Sequence, residues 1–335
     1  MTDRVSDSGK GISNLEIARN VDTDATLGLD PWRPLQEGCD RLCLQKPKTD
    51  GEMQQLARLW GGRGDIELRL LGHAAQDLEF LSYFPGLRRL NVQTPAITNI
   101  AGLRHIADSL TEFTLANTTV RVSLGPIAAC KRLKSLHLQR QKTDFGKLRS
   151  LASLDYLGLS GVSLPDLSAL LPFEQLRSMF MGFCKPLDLD LLGRFTKLEA
   201  LHLIKINNLR DLSALSLNGN LRRIELEWLP HVETLPDLAG LHQLEELEVA
   251  TMKSLRDISS IARAPALRFL ALWDCRSLTP ENFKCLLGHP TLKRLNFGIG
   301  SPNANNKVAA MFPGEMTQTV NYKITRGTYL RRLTS

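Results

Sequence analysis

The side chains that most often carry chemistry are sparse in this sequence, and their spacings suit no common reaction. Cys39 and Cys43 lie four residues apart on one expected strand, too far to bridge if the chain there is extended. Cys130, Cys184, Cys275 and Cys285 complete the set without a paired framework, the usage of reduced thiols in a cytoplasm. His137 and His202 fall at the same phase of a recurring pattern, three units apart. At strand spacings of about 4.8 Å they would stand roughly 14 Å apart, beyond the span of one metal ion, and they read as solvated surface histidines. Arg63-Gly64-Asp65 resembles an integrin tripeptide and Asn117-Thr118-Thr119 a glycosylation sequon, but with no export signal both read as coincidence. The sequence has no glycine-rich phosphate loop, no Gly-x-Ser-x-Gly, no His-Glu-x-x-His and no Cys-x-x-Cys. The expectation is therefore no catalytic residue, no metal and no cofactor: not an enzyme.

Composition sets outer bounds. A chain of 335 residues can bury a large core as one elongated or two compact domains, and its aromatic content is only 6%. The first twenty residues hold no apolar run that could serve as a leader, and nowhere do 18 uncharged apolar residues follow one another. A cytoplasmic location is expected, with delivery by a signal-independent secretion route left open. The formal charge of +7 is a weak pointer to acidic partners when spread over this length.

What organises the chain is leucine. The frame Leu-x-x-apolar-x-apolar begins at Leu87, Leu110, Leu133, Leu154, Leu176, Leu198, Leu221, Leu244, Leu267 and Leu292, in steps of 21 to 25 residues, with weaker copies from Cys39 and Asp65. Apolar positions four and six flank polar position five, so each frame predicts a short strand with one face inward. The second half of each unit, as in "NNLRDLSAL" and "ETLPDLAGL", spaces its apolar residues by about three, which suits a 3₁₀ turn on the opposite side. No unit can cover its own leucines, so neighbours must stack.

These units resemble the leucine-rich repeat family, and the Asp-Leu-Ser-x-Leu halves at 166–170 and 211–215, with "DISSI" at 257–261, look most like its internalin-like bacterial branch. The resemblance implies an α/β fold: a curved right-handed solenoid with a concave parallel β-sheet, convex short helical segments, and a binding role. The family's asparagine after the strand is mostly missing. Pro95, Thr118, Gln141, Val162, Cys184, Ile206, Leu229, Met252 and Cys275 stand there, which leaves open how the turn's backbone donors are paired.

The expected domain plan is a disordered segment at 1–25, an N-terminal cap at 26–64, repeats over 65–298, and a C-terminal cap with a basic tail over 299–335. "TDGEMQQLARLWGG" predicts a capping helix from Thr49 or Asp50 to a Gly-Gly stop. "NKVAAMFPG" predicts a second short helix, and "QTVNYKI" a last strand with Val320, Tyr322 and Ile324 on one face.

Positions two, three and five of each frame should point from the sheet into the concavity, with seven and eight along its rim. The partner-binding residues expected from this are Tyr156, Phe180, Glu199, His202, Arg222, Glu225, Glu227, Trp228, Glu245, Glu246, Glu248, Phe269 and Trp273. Aromatics are the residue types that anchor interfaces, and the glutamates on two adjacent strands form an acidic patch suited to a basic segment of a protein partner, with Arg222 and Arg223 neutralising part of it. The expected function is non-catalytic protein recognition by a monomer, as a toxin-neutralising immunity protein, a delivered effector or a cytoplasmic adaptor. Two rivals remain: nucleic-acid binding through the tail bearing Lys323, Arg326, Arg331 and Arg332, and an enzyme with an unrecognised site.

Overall fold

Each leucine frame becomes one short parallel strand, because its alternating pattern can bury one face only if the next frame lies alongside. The computed structural model describes residues 20–22, 40–44, 49–71, 75–141, 145–185 and 188–319, which fall into two compact units, residues 1–133 and 134–335. Cys39, most of the segment 1–25, Val320, Tyr322, Ile324 and the basic tail lie outside the described residues.

The first unit holds β1 (Asn20–Asp22), β2 (Arg41–Leu44), helix α1 (Asp50–Trp60), β3 (Glu67–Leu71), β4 (Arg89–Gln93) and β5 (Glu112–Ala116). Each strand pairs in parallel with the next. Helix α1 starts at a capping box in which Thr49 and Glu52 satisfy each other's backbone N–H, and it stops at Gly61 in the left-handed conformation. It buries Met53, Leu56, Leu59 and Trp60, with the Trp60 indole edge-on to Phe84 at 5.7 Å.

The second unit holds β6 (Ser135–Gln139), β7 (Tyr156–Ser160), β8 (Ser178–Gly182), β9 (Ala200–Ile204), β10 (Arg223–Glu227), β11 (Glu246–Ala250), β12 (Phe269–Trp273), β13 (Arg294–Gly298), helix α2 (Pro302–Ala309) and β14 (Thr317–Thr319). Pairing is again parallel and sequential, without bulges in the register. Short 3₁₀ helices such as Ser213–Leu217 and Ser259–Arg263 separate the strands. Several of these segments open where an aspartate side chain accepts the N–H two residues on, as Asp166, Asp211 and Asp257 do. Frame positions four and six are the core: Leu201, Leu203, Ile224, Leu226, Leu247, Val249, Leu270 and Leu272 are each at most 1% exposed.

The residue after each strand answers the question of the missing asparagine. Arg140, Phe183, Lys205, Trp228, Thr251 and Asp274 all have φ between 49° and 58°, and Gly161 has φ 62°. Only glycine adopts this region without steric cost, which for the others is on the order of 1 kcal/mol each. The turn is held because each of these N–H groups donates to the last strand carbonyl of the following coil. Phe183 reaches Ile204 at 2.9 Å, Lys205 reaches Glu227 at 2.9 Å, Trp228 reaches Ala250 at 2.9 Å and Thr251 reaches Trp273 at 2.7 Å. The residue that follows, where the family's asparagine would stand, turns into the core: Val162, Cys184, Ile206, Leu229, Met252 and Cys275 are all buried. The Cys184 and Cys275 thiols contact the carbonyls of Gly182 and Trp273 at 3.5 and 3.3 Å, taking over part of the amide's role.

Two leucines test this division of the chain. Leu247→Ala removes a side chain 1% exposed and should cost about 2–5 kcal/mol in urea denaturation. Leu217→Ala, at a side chain 62% exposed, should change stability by less than about 0.5 kcal/mol. Equal losses would contradict the assignment of the core.

Candidate functional site

Period-two alternation sends the odd residues of every strand to the outer face of the sheet, and the parallel register stacks them in rows. In the second unit one row runs Tyr156, Ser178, Ala200, Arg223, Glu246, Phe269, Arg294. The next runs His137, Gly158, Phe180, His202, Glu225, Glu248, Ala271, Asn296. The third, at the strand ends, runs Ser160, Gly182, Ile204, Glu227, Ala250, Trp273.

Over β6 to β9 this face is a packed aromatic layer. Phe180 fills the space between the two histidines, with ring centroids 5.7 Å from His137 and 5.0 Å, edge-on, from His202. The layer depends on two glycines. A Cβ on Gly158 would fall on the His137 ring and the Tyr156 hydroxyl, and one on Gly182 would come within 2.9 Å of Phe180. The large rings lie flat over positions that have no side chain. Here the structure corrects two sequence expectations. The histidines are not solvated: burial pushes His137 down to about 4 and lowers His202, against the pull of Glu225 whose carboxylate lies 3.5 Å from its Nδ1. Phe180 is not an outward anchor, since the flanking rings leave it only 7% exposed. Tyr156 is also mostly covered, and burial raises its hydroxyl to about 12.

Over β10 to β13 the face is charged and more open. Glutamates are stapled coil to coil by arginines, Arg222 to Glu245 at 3.6 Å and Arg223 to Glu246 at 2.6 Å, as Arg177 staples Glu199 just ahead of β9 at 2.8 Å. Such exposed pairs add little stability individually but fix where the charges stand. Glu225 and Glu248 are register partners, so like charges do face each other as the sequence predicts. Glu227 differs from the others. One of its oxygens is buried without a hydrogen-bond partner, and burial, then the neighbouring Glu225, raises its carboxyl to about 7.

Aromatics edge this acidic area. Trp228 and Trp273 are part-exposed, and Phe269 carries the Arg294 guanidinium at 4.5 Å. Sequence reasoning missed two members of the rim, Phe183 and Lys205. The Lys205 ammonium lies between the Phe183 and Trp228 rings, 5.1 and 4.7 Å from their centroids, and Phe183 is 49% exposed. The signal was available, because both share the left-handed frame position of Trp228. Of the expected site residues, Glu225, Glu227, Trp228, Glu246, Glu248, Phe269 and Trp273 share three adjacent strands or their ends, while Tyr156, Phe180 and His202 belong to the aromatic layer. Glu199, Arg222 and Glu245 precede their strands and serve the ion pairs. Among the described residues no group of three or more His, Cys, Asp or Glu could hold a metal ion, and no helix is long and apolar enough to cross a membrane.

No protein-family profile matches the chain, and no curated protein does. Solved structures do. An internalin, InlF, of Listeria monocytogenes superposes with a TM-score of 0.52 at 16% identity, covering 84% of this chain and 87% of its own. A leucine-rich repeat protein of Leptospira interrogans gives 0.49 at 15% identity over 92% and 97%. The internalin InlC2 of Listeria monocytogenes gives 0.44 at 22% over 56% and 80%. The InlF likeness shows the fold alone: the chain has the leucine-rich repeat fold, with parallel strands and short 3₁₀ turns in sequential coils.

The aromatic layer makes a pH prediction. Between pH 6.5 and about 4 an unfolded His137 takes up a proton that the folded one refuses, so its contribution to stability is present above 6.5 and lost as pH falls toward 4. Urea melts at pH 7 and 4.5 should show a smaller loss in His137→Phe than in the wild type, and parallel losses would refute the buried neutral imidazole. Gly158→Ala should destabilise by about 1–3 kcal/mol at both pH values.

Proposed function

We propose that the outer sheet face of the second unit is a non-catalytic protein-recognition surface that takes a basic segment of a partner protein. Binding through an extended surface is the general use of repeat solenoids. The observation that carries the reading is the grouping of part-exposed Trp228, Phe269 and Trp273 with Glu225, Glu227, Glu246 and Glu248 on β10 to β12 and their ends. Indole and phenyl rings supply contact area with few rotors to freeze, and carboxylates steer and orient a cationic chain. Strands locked in parallel register present these groups with little further ordering on binding. The chain acts as a monomer in the cytoplasm on this reading, with Cys130, Cys184, Cys275 and Cys285 kept as thiols. Covering a toxin's basic active site, engaging a host protein after delivery, and bridging cytoplasmic partners all use this one physical act. Nucleic acid is disfavoured at this face because the same carboxylates repel a phosphate backbone.

The test is affinity capture with the purified chain and with a Trp273→Ala/Glu248→Lys double variant whose thermal melt is checked alongside. The wild type should retain a protein partner, and the variant should lose it by roughly 30-fold, the effect of removing one central anchor. Capture should also weaken as salt rises. Equal recovery by both forms would remove the site from this face, and recovery of RNA or DNA in place of protein would install the rival reading.

A further inference from the structure

The carboxylates of this face are not equivalent. Glu199, Glu245 and Glu246 each pair with an arginine, and Glu225 has His202 at 3.5 Å. Glu227 has no ion pair among the described residues, and its Oε2 is buried without a hydrogen-bond partner. In register it lies between Ile204, which is 5% exposed, and Ala250, which ends at its Cβ. Neither neighbour can donate a hydrogen bond from its side chain. A carboxylate held against apolar neighbours is costly until a cation meets it.

The surroundings fit a cation arriving from outside. Trp228 follows Glu227 directly, and Trp273 stands two strands along the same row, about 10 Å away by strand spacing. This rim already holds cations against rings in two places, with Lys205 over Trp228 at 4.7 Å and Arg294 over Phe269 at 4.5 Å. The Trp273 ring carries no such cation among the described residues. The charged groups around Glu227 are His202 and Lys205 from the β9 side, Arg223 and Glu225 on its own strand, Glu246 and Glu248 on β11, and Asp274 just beyond β12. Lys205 is engaged by its two rings and Arg223 by Glu246. Asp274 is paired with Arg276 as Glu246 is with Arg223, and the charge that acts on the Glu227 carboxyl is that of Glu225.

We infer that Glu227 is the seat for one lysine or arginine side chain of the partner, and that it gives up a proton when that cation docks. This rests on the reading of the face as a surface for a basic segment, and it adds which residue discriminates and how binding is regulated. Burial and Glu225 keep the carboxyl protonated until about pH 7, so an incoming ammonium or guanidinium takes the proton's place as the neutralising charge. The exchange releases one proton to solvent and forms one ion pair.

Fluorescein-labelled octalysine is a suitable probe, because its side chains stay charged between pH 6 and 8. Anisotropy titrations at fixed ionic strength should show the wild type binding about tenfold tighter at pH 8 than at pH 6, since the ionised fraction of Glu227 rises by about that factor. Glu227→Gln should bind with little pH dependence, and its thermal melt at pH 6 should match the wild type. Calorimetry at pH 7 in two buffers of different ionisation enthalpy should count about half a proton released by the wild type, because the carboxyl is half protonated there, and none by Glu227→Gln. Identical pH profiles for the two forms would reject the role of Glu227 and leave the basic-partner reading standing. No octalysine binding by the wild type at either pH would reject that reading, and the inference with it.

Discussion

Everything in this protein depends on one constraint: a coil of about 22 residues cannot cover its own leucines. Frame positions four and six bury completely only because the next coil supplies the other wall, as Leu226 and Val249 do across β10 and β11. The parallel ladder follows from that need and fixes the register. With the register fixed, every residue that does not enter the core is assigned a row on the outer face. The order of side chains along those rows is therefore a direct consequence of apolar burial, although none of them contributes to it.

The left-handed step after each strand from β5 to β12 is the second consequence. To return toward the 3₁₀ side, the chain must leave the strand sharply, and it does so at a residue with positive φ in coil after coil, whether or not glycine stands there. Thr251 and Trp228 are residues that pay a steric cost in this conformation. Their backbone N–H groups are matched to carbonyls of the following coil, and the buried residue that follows anchors the turn. The same step throws Phe183, Lys205 and Trp228 onto the rim, where they form a ring–cation–ring stack. A backbone requirement thus generates a surface feature with binding character.

The outer face divides by side-chain size. Where glycine interrupts a row, at Gly158 and Gly182, neighbouring rings fold down and seal the surface. Where glutamate and alanine alternate with aromatics, over β10 to β12, the surface stays charged and part-exposed. The sealed half holds the histidines neutral, and the open half holds Glu227 partly protonated near neutral pH. Both effects arise from desolvation acting on opposite charge types.

The sequence by itself determined the repeat, its strand positions, the inward leucines and the outward rows, because periodicity alone decides which side chains are buried when identical units stack. It also determined that Glu225 and Glu248 face each other, since a constant step of 23 residues there sets the register. Tertiary structure decided what distance along the chain conceals: that Phe180 closes the gap between His137 and His202, that Arg177 one coil away claims Glu199, and that Glu227 is left among apolar neighbours. A frame position fixes the direction of a side chain, whereas its burial, its partners and its proton depend on the sizes and charges of residues 22 or 23 positions away, which meet it only when the coils are stacked.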